Sequence, residues 1–245
     1  MATHPKPTGA PDALSTMLRE GTAVNHREAE RRPFMRVFFK GQLPRDPYVA
    51  WISRQWFIYS ALEETAEELR DHPVVGVMYT PEIRRRDRLE QDLAFFLGDS
   101  WSDRVAPSPA TEKYVDRVRW CAAEFPEGWV AHQWLRYMGN IGGQEILRRL
   151  VTRSQVLVDD RGLAFYQWPE IGEIGPFFGR FHGRMDSMDL DAATKPRVVD
   201  EADQAFMLNM MLTDELAADF GIEAPEGDPD QEYEALTAQD KGSHD

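Results

Sequence analysis

The stretch Trp134-Leu135-Arg136-Tyr137-Met138-Gly139-Asn140-Ile141-Gly142-Gly143-Gln144-Glu145-Ile146-Leu147 decides how this chain is read. Leu135, Met138, Ile146 and Leu147 recur near the 3.6-residue helical period, yet three glycines sit among them. Each glycine costs about 1 kcal/mol against alanine in a helix interior, so something must offset roughly 3 kcal/mol. A helix bare of side chains on one face lets a flat ligand or another helix approach its backbone, and it can bend there. Tight helix packing and ligand approach both account for the segment.

The chain of 245 residues, 42% hydrophobic and with seven Trp, suits one large domain with a sizeable core. No apolar run approaches the length of a membrane span, and Met1 to Asp12 lacks the apolar centre of a signal peptide, so the expected location is cytoplasmic. The single cysteine, Cys121, reads as a core thiol. A formal charge of -14 argues against nucleic acid as a partner. Half of that charge falls between Glu223 and Asp245, where eight acidic residues meet one Lys; with Pro225, Gly227 and Pro229 this is expected to be a solvated, poorly ordered tail. Arg19 to Lys40 runs the other way, with six basic and three acidic residues, and offers a face for an acidic electron donor.

Taken in order, residues 1–12 are Pro-rich and expected to be loose. A helix is predicted from Ala13 to Arg31, closed by Pro33, and a short one from Phe34 to Phe39. Asp46-Pro47 makes an N-cap and N1 pair for a helix with Tyr48, Trp51, Ile52, Gln55, Tyr59 and Leu62 on one face, ending at His72-Pro73. Thr80-Pro81 starts a helix that stops at Gly98, and Ser108-Pro109 starts another that reaches Phe125. The glycine-containing helix spans Gly128 to Thr152. Val156 to Gln167 has the β-branched and aromatic content of a short extended piece. Phe177 to Met188 and Pro196 to Phe220 read as the last helices. With no repeats and no alternating strand pattern, the expectation is an all-α single domain over residues 13–222.

The run Arg136 to Gln144 resembles the distal-helix signature of the biliverdin-producing heme oxygenases, R-Y-L-G-D-L-S-G-G-Q. Leu18 to Gln42 (LREGTAVNHREAERRPFMRVFFKGQ) and Arg184 to Leu216 (RMDSMDLDAATKPRVVDEADQAFMLNMMLTDEL) are similar to the same family in the same order. The resemblance implies an all-helical fold that holds haem, both cofactor and substrate, between a proximal helix and the glycine-rich distal helix. The implied reaction uses O2 and electrons from a ferredoxin, flavodoxin or reductase to cleave haem to biliverdin, CO and Fe(II). His26 stands where the family places its proximal iron ligand, and Glu30, four residues on, where it places the partner of that imidazole. Gly139, Gly142 and Gly143 would leave room for oxygen bound to the iron. Tyr59, Arg136 and Asn209 match members of the family's distal polar network, and Phe206 shares the helix of Asn209.

The departures are as informative. Asn140 replaces the family's distal aspartate, and the interval from Gly139 to the Gly142-Gly143 pair is one residue shorter, which turns everything downstream by about 100° unless a bulge absorbs it. Arg19 occupies the family's propionate-binding lysine position on the first helix, one helical face along from His26, where a guanidinium suits a carboxylate bidentately. Phe178 and His182 replace a lysine and an arginine, while Arg184 is retained; Arg180, one turn before it, is a substitute suggested by spacing alone. Trp134 replaces a tyrosine near a propionate. Two other readings stand beside the oxygenase: a haem-binding protein with peroxidase-like, sensing or storage chemistry because of Asn140, and a non-haem di-iron oxidase using Glu64, His72, His182 and Asp186.

Overall fold

Two long helices, Arg45–Glu68 and Thr194–Asp219, frame the molecule in its computed structural model, which describes residues 10–228. Ten α-helices occur among the described residues: α1 (Leu14–Gly21), α2 (Ala23–Glu30), α3 (Pro33–Phe39), α4 (Arg45–Glu68), α5 (Arg86–Leu97), α6 (Pro109–Glu124), α7 (Pro126–Gln133), α8 (Gly139–Gln155), α9 (Ile174–Asp186) and α10 (Thr194–Asp219). No strand occurs among these residues, so the all-α expectation holds. Residues 1–9 and 229–245, most of the two expected loose ends, lie outside the described residues.

Packing follows the apolar stripes. α4 buries Tyr48, Ile52, Ile58, Tyr59 and Leu62 against α5 and α6, and α10 buries Val198, Ala202, Leu212 and Leu216 against α1, α6 and α7. These side chains join one continuous core, as the length and composition require. Ser108 caps α6 by accepting from the Thr111 N–H, with Pro109 in the first turn, as the sequence predicts.

Several boundaries differ from the sequence expectations. The first helix is two, divided at Thr22, whose N–H and hydroxyl both donate to the Leu18 carbonyl, at 3.1 and 2.8 Å. Arg19 and His26 therefore sit on different helices. Pro44, not Asp46, is the N-cap of α4; Asp46 lies in the first turn, where its charge suits the helix dipole. α4 stops at Glu68, and the His72 imidazole accepts from the N–H groups of Val74 and Val75 in the following loop. The helix expected from Thr80 is a 3-10 turn, Pro81–Ile83, followed by α5 from Arg86. The extended piece expected within residues 156–167 is a loop with one 3-10 turn, Ala164–Tyr166, pinned where Asp92 accepts from the N–H groups of Ala164 and Phe165 at 2.9 Å each. Val156 closes α8 at φ 54°, a left-handed conformation that a β-branched residue rarely adopts.

The predicted helix 128–152 is resolved into α7, one wide π turn over Trp134–Met138, and α8. The wide turn lies before Gly139, and residues 139–155 continue as regular α-helix, so no bulge occurs at the shortened interval itself.

Candidate functional site

α2 brings His26, Ala29 and Glu30 to one cavity; their i, i+3, i+4 spacing puts them on a single helix face. The His26 ring meets Phe206 of α10 edge-on, with centroids 5.6 Å apart, and its Nδ1 is 3.6 Å from Glu30 Oε1, an electrostatic contact longer than a hydrogen bond. Burial, reinforced by the neighbouring Arg27 charge, pushes the His26 pKa down to about 4, so the imidazole is neutral at pH 7. With Nδ1 turned to Glu30, Nε2 is the nitrogen left with a lone pair to donate. Asn25 ties α2 to α10 by donating to Asp203 Oδ1 at 2.6 Å.

The π turn and α8 bring Trp134, Arg136, Gly139, Asn140 and Gly143 to the same cavity, with Ile146 and Leu147 further along α8. A π turn opens the i→i+4 ladder, and here the Arg136 carbonyl accepts from the Tyr59 hydroxyl at 2.8 Å and from Asn140 Nδ2 at 3.0 Å. Asn140 Nδ2 also donates to the Tyr59 hydroxyl oxygen. Burial pushes the Tyr59 pKa up, so it stays a protonated donor. Arg136 is 4% exposed, stacks over the Tyr114 ring at 4.4 Å and donates to Gln55 Oε1 at 3.0 Å. Four buried polar atoms around this region lack a protein partner: Gln55 Nε2, Arg136 Nε and Nη2, and Asn209 Oδ1. Buried polar groups are nearly always satisfied, so this set calls for water or a ligand. Beyond the missing side chain of Gly139 no atom lies within 4 Å, whereas a Cβ at Gly143 would press on Leu147 at 3.3 Å.

Of the residues singled out in the sequence, His26, Glu30, Trp134, Arg136, Gly139, Asn140, Gly143, Phe206 and Asn209 line this cavity, and Tyr59 touches it through Asn140 and Arg136. Gly142 is not among the lining residues. Neither are the cations Arg19, Arg180 and Arg184: Arg19 pairs with Glu20 at 3.1 Å, Arg180 reaches the Ile171 carbonyl, and Arg184 reaches the Thr80 hydroxyl at 3.3 Å. The di-iron set does not assemble. Asp186 caps α1 by accepting from the Ser15 N–H at 2.8 Å, and Glu64 pairs with Arg86 and Arg119. His72 is engaged with its own loop, so Glu64, His72, His182 and Asp186 form no group with ligand atoms in mutual reach.

Sequence reading missed Gln55, fully buried and placed in the apolar stripe of α4 without comment; a polar residue in such a stripe is the same signal that exposed Asn209. It also missed the buried pair of His132 and Glu201, whose Nε2 and Oε1 are 2.8 Å apart, with Arg117 gripping both Glu201 oxygens.

The heme oxygenase family profile matches residues 12–215. Heme oxygenase 1 of Synechocystis sp. is 39% identical over 203 residues, covering 83% of this chain and 84% of that one. Human heme oxygenase 1 is 37% identical over 215 residues, 87% of this chain and 75% of that one. The crystal structure of heme oxygenase-1 from Synechocystis sp. in complex with heme superposes with a TM-score of 0.82 at 35% identity, covering 95% of this chain and 100% of that one. The heme oxygenase structure from Leptospira interrogans gives 0.81 at 33%, with 83% and 99% covered. A glycine-walled cavity with a neutral histidine, on a fold and a sequence this similar to theirs along most of the chain, makes this protein a member of the heme oxygenase family.

Proposed function

We propose that the protein is a heme oxygenase that cleaves haem to biliverdin, CO and Fe(II), with O2 and an external reductant as co-substrates. The observation that carries this reading is that His26 and Gly139 line the same cavity, with open space at the Cβ position of Gly139. Haem supplies the iron at which O2 is activated and the carbon skeleton that is oxidised. The cavity suits it: apolar walls from Phe38, Trp51 and Leu147 would accept a flat macrocycle, and His26 Nε2 would hold its iron.

The protein groups then divide the work. Glu30 sets the tautomer of His26 by attracting a proton at Nδ1. Phe206 holds the imidazole plane from its edge. Gly139 and Gly143 keep side chains away from the other wall. Asn140, with both amide hydrogens committed to Tyr59 and Arg136, presents Oδ1 as a water acceptor. Arg136 Nε and Nη2 and Gln55 Nε2, buried donors with no protein partner, would hold water on the Asn140 side of the cavity.

The electron donor in this reading is an acidic ferredoxin, flavodoxin or reductase, supported by the basic run Arg19 to Lys40, and the setting is cytoplasmic, where such donors are kept reduced. Among the described residues no helix is long and apolar enough to cross a membrane.

Hemin titration followed by turnover with a ferredoxin–reductase system and ascorbate tests the proposal. One hemin per chain, a bilin absorbance band and released CO are expected. Failure to take up hemin overturns it, and hemin bound without bilin or CO assigns the chain to haem binding with other chemistry.

A further inference from the structure

Cys121 on α6, His132 on α7 and Glu201 on α10 meet where those three helices pack, and none of them lines the cavity described above. All three are buried, and a sulfur, a ring nitrogen and a carboxylate oxygen, one from each, lie within 4.8 Å of one another. No other group of three His, Cys, Asp or Glu side chains among the described residues comes together in this way. His132 Nε2 and Glu201 Oε1 are 2.8 Å apart. Burial first, and then the Glu201 charge, push the Cys121 thiol up, which places that carboxylate beside Sγ. Two further buried polar atoms here have no hydrogen-bond partner: His132 Nδ1, and the hydroxyl of Tyr114, whose ring meets His132 edge-on at 5.5 Å. Buried polar groups are nearly always satisfied, so the protein alone leaves this group short of a component.

A thiolate, an imidazole and a carboxylate together suit zinc, a borderline ion that takes sulfur, nitrogen and oxygen donors in a tetrahedron. With Zn–S about 2.3 Å and Zn–N and Zn–O about 2.1 Å, neighbouring ligand atoms of a tetrahedron stand roughly 3.4–3.6 Å apart. Side-chain shifts of about 1 Å reach that spacing from the separations found here. Arg117 is what an ion must displace. It donates to both Glu201 oxygens, its side chain is 33% exposed, and its guanidinium lies over the half-exposed Trp120 ring at 4.0 Å. Swung away from Glu201, it reaches solvent without leaving a buried charge behind.

We propose that Cys121, His132 and Glu201 form a binding site for Zn(II), with Arg117 as the cation that holds Glu201 until the metal replaces it. The exchange balances. The Cys121 thiol proton leaves to solvent, the His132 proton moves from Nε2 to Nδ1, and Zn(II) with one thiolate and one carboxylate is neutral, as the Glu201–Arg117 pair was. Water completes the four-coordinate shell, and Tyr114 is at hand to bind it. The metal then ties α6, α7 and α10 together two residues before the π turn begins at Trp134.

Cobalt(II), a spectroscopic substitute for zinc, tests the site in the haem-free full chain. Wild type is expected to bind one cobalt per chain with a near-ultraviolet thiolate-to-cobalt charge-transfer band and the intense visible bands of four-coordinate cobalt, and one equivalent of zinc should erase both. Cys121 is the only cysteine of the chain, so the thiolate band reports on this position alone. His26→Ala keeps the band, and Cys121→Ala loses it. Should Cys121→Ala fail to fold, the wild-type spectrum still decides. Arg117→Leu, which removes the competing cation, binds cobalt about tenfold more tightly. Zinc raises the Tm of wild type and leaves that of Cys121→Ala unmoved. No cobalt uptake, cobalt bound without the thiolate band, or a band that disappears in His26→Ala overturns the site. Weaker or unchanged binding by Arg117→Leu overturns the role given to that residue.

Discussion

Asn140 donates both amide hydrogens inside the protein, one to the Tyr59 hydroxyl and one to the Arg136 carbonyl. An aspartate there would set a carboxylate oxygen against that carbonyl and oblige Tyr59 to turn its hydroxyl away from Arg136. Asn140→Asp is therefore expected to lower the stability of the haem-free protein by about 1–2 kcal/mol and to alter bilin yield per hemin; urea unfolding and product absorbance measure the two, and no change in either would show that position 140 does not govern the network. Glu201 is the other pivotal residue. Its burial would raise the carboxyl pKa, but hydrogen bonds from His132 and Arg117 outweigh this and hold it at about 2. A depressed carboxyl stabilises the fold fully above the ordinary value near 4.5 and loses that contribution as pH falls toward 2. Glu201→Gln should cost about 3 kcal/mol at pH 7, with the gap to wild type narrowing between about pH 4.5 and pH 2 in urea titrations; a gap independent of pH would rule out the charged network. The polar site was only partly legible in the sequence. Asn209 and Gln55 both interrupt apolar stripes, but the Glu201 network joins residues 69 and 84 positions apart, and no local pattern announces that.

At the scale of elements, the glycine-rich segment works because an aberrant turn precedes a regular one. The π turn frees the Arg136 carbonyl for side-chain donors, and regular α8 then carries Gly139 and Gly143 to the cavity while leaving Gly142 aside. A methyl group at Gly139 would meet no protein atom within 4 Å outside its own helix backbone. Gly139→Ala is accordingly expected to raise its stability by up to about 1 kcal/mol while impairing hemin uptake or turnover, a split that calorimetry and hemin titration would reveal. A variant losing stability and hemin together would mean that Gly139 serves helix packing. Helix existence was legible nearly everywhere from apolar spacing and from Pro and Ser signals such as Ser108-Pro109. What escaped were interruptions: the break at Thr22 falls where no proline marks it, and the loop over residues 156–167 is pinned by Asp92, which lies on a helix distant in sequence.

Across the whole molecule, the first helices depend on the last. Ser15 at the start of α1 donates its N–H and its hydroxyl to Asp186, at 2.8 and 2.7 Å, across 171 positions, and Asn25 on α2 reaches Asp203 across 178. Asp186→Ala removes the cap and strands two donors of a buried Ser15; a loss of about 2 kcal/mol in thermal or urea unfolding is expected, with faster hemin release. Unaltered stability would show that water replaces the carboxylate. The single helical domain was legible in the sequence because composition and periodicity report burial; this long-range stapling was not, because it rests on polar pairs from opposite ends of the chain. Its consequence reaches back to biosynthesis. While the ribosome is still making the second half, the amino-terminal quarter has no Asp186 to finish its opening turn and no Asp203 to hold the segment bearing His26. Nascent or prematurely terminated polypeptides should consequently be unable to capture porphyrin, so that a reactive iron compound is admitted only to finished enzyme.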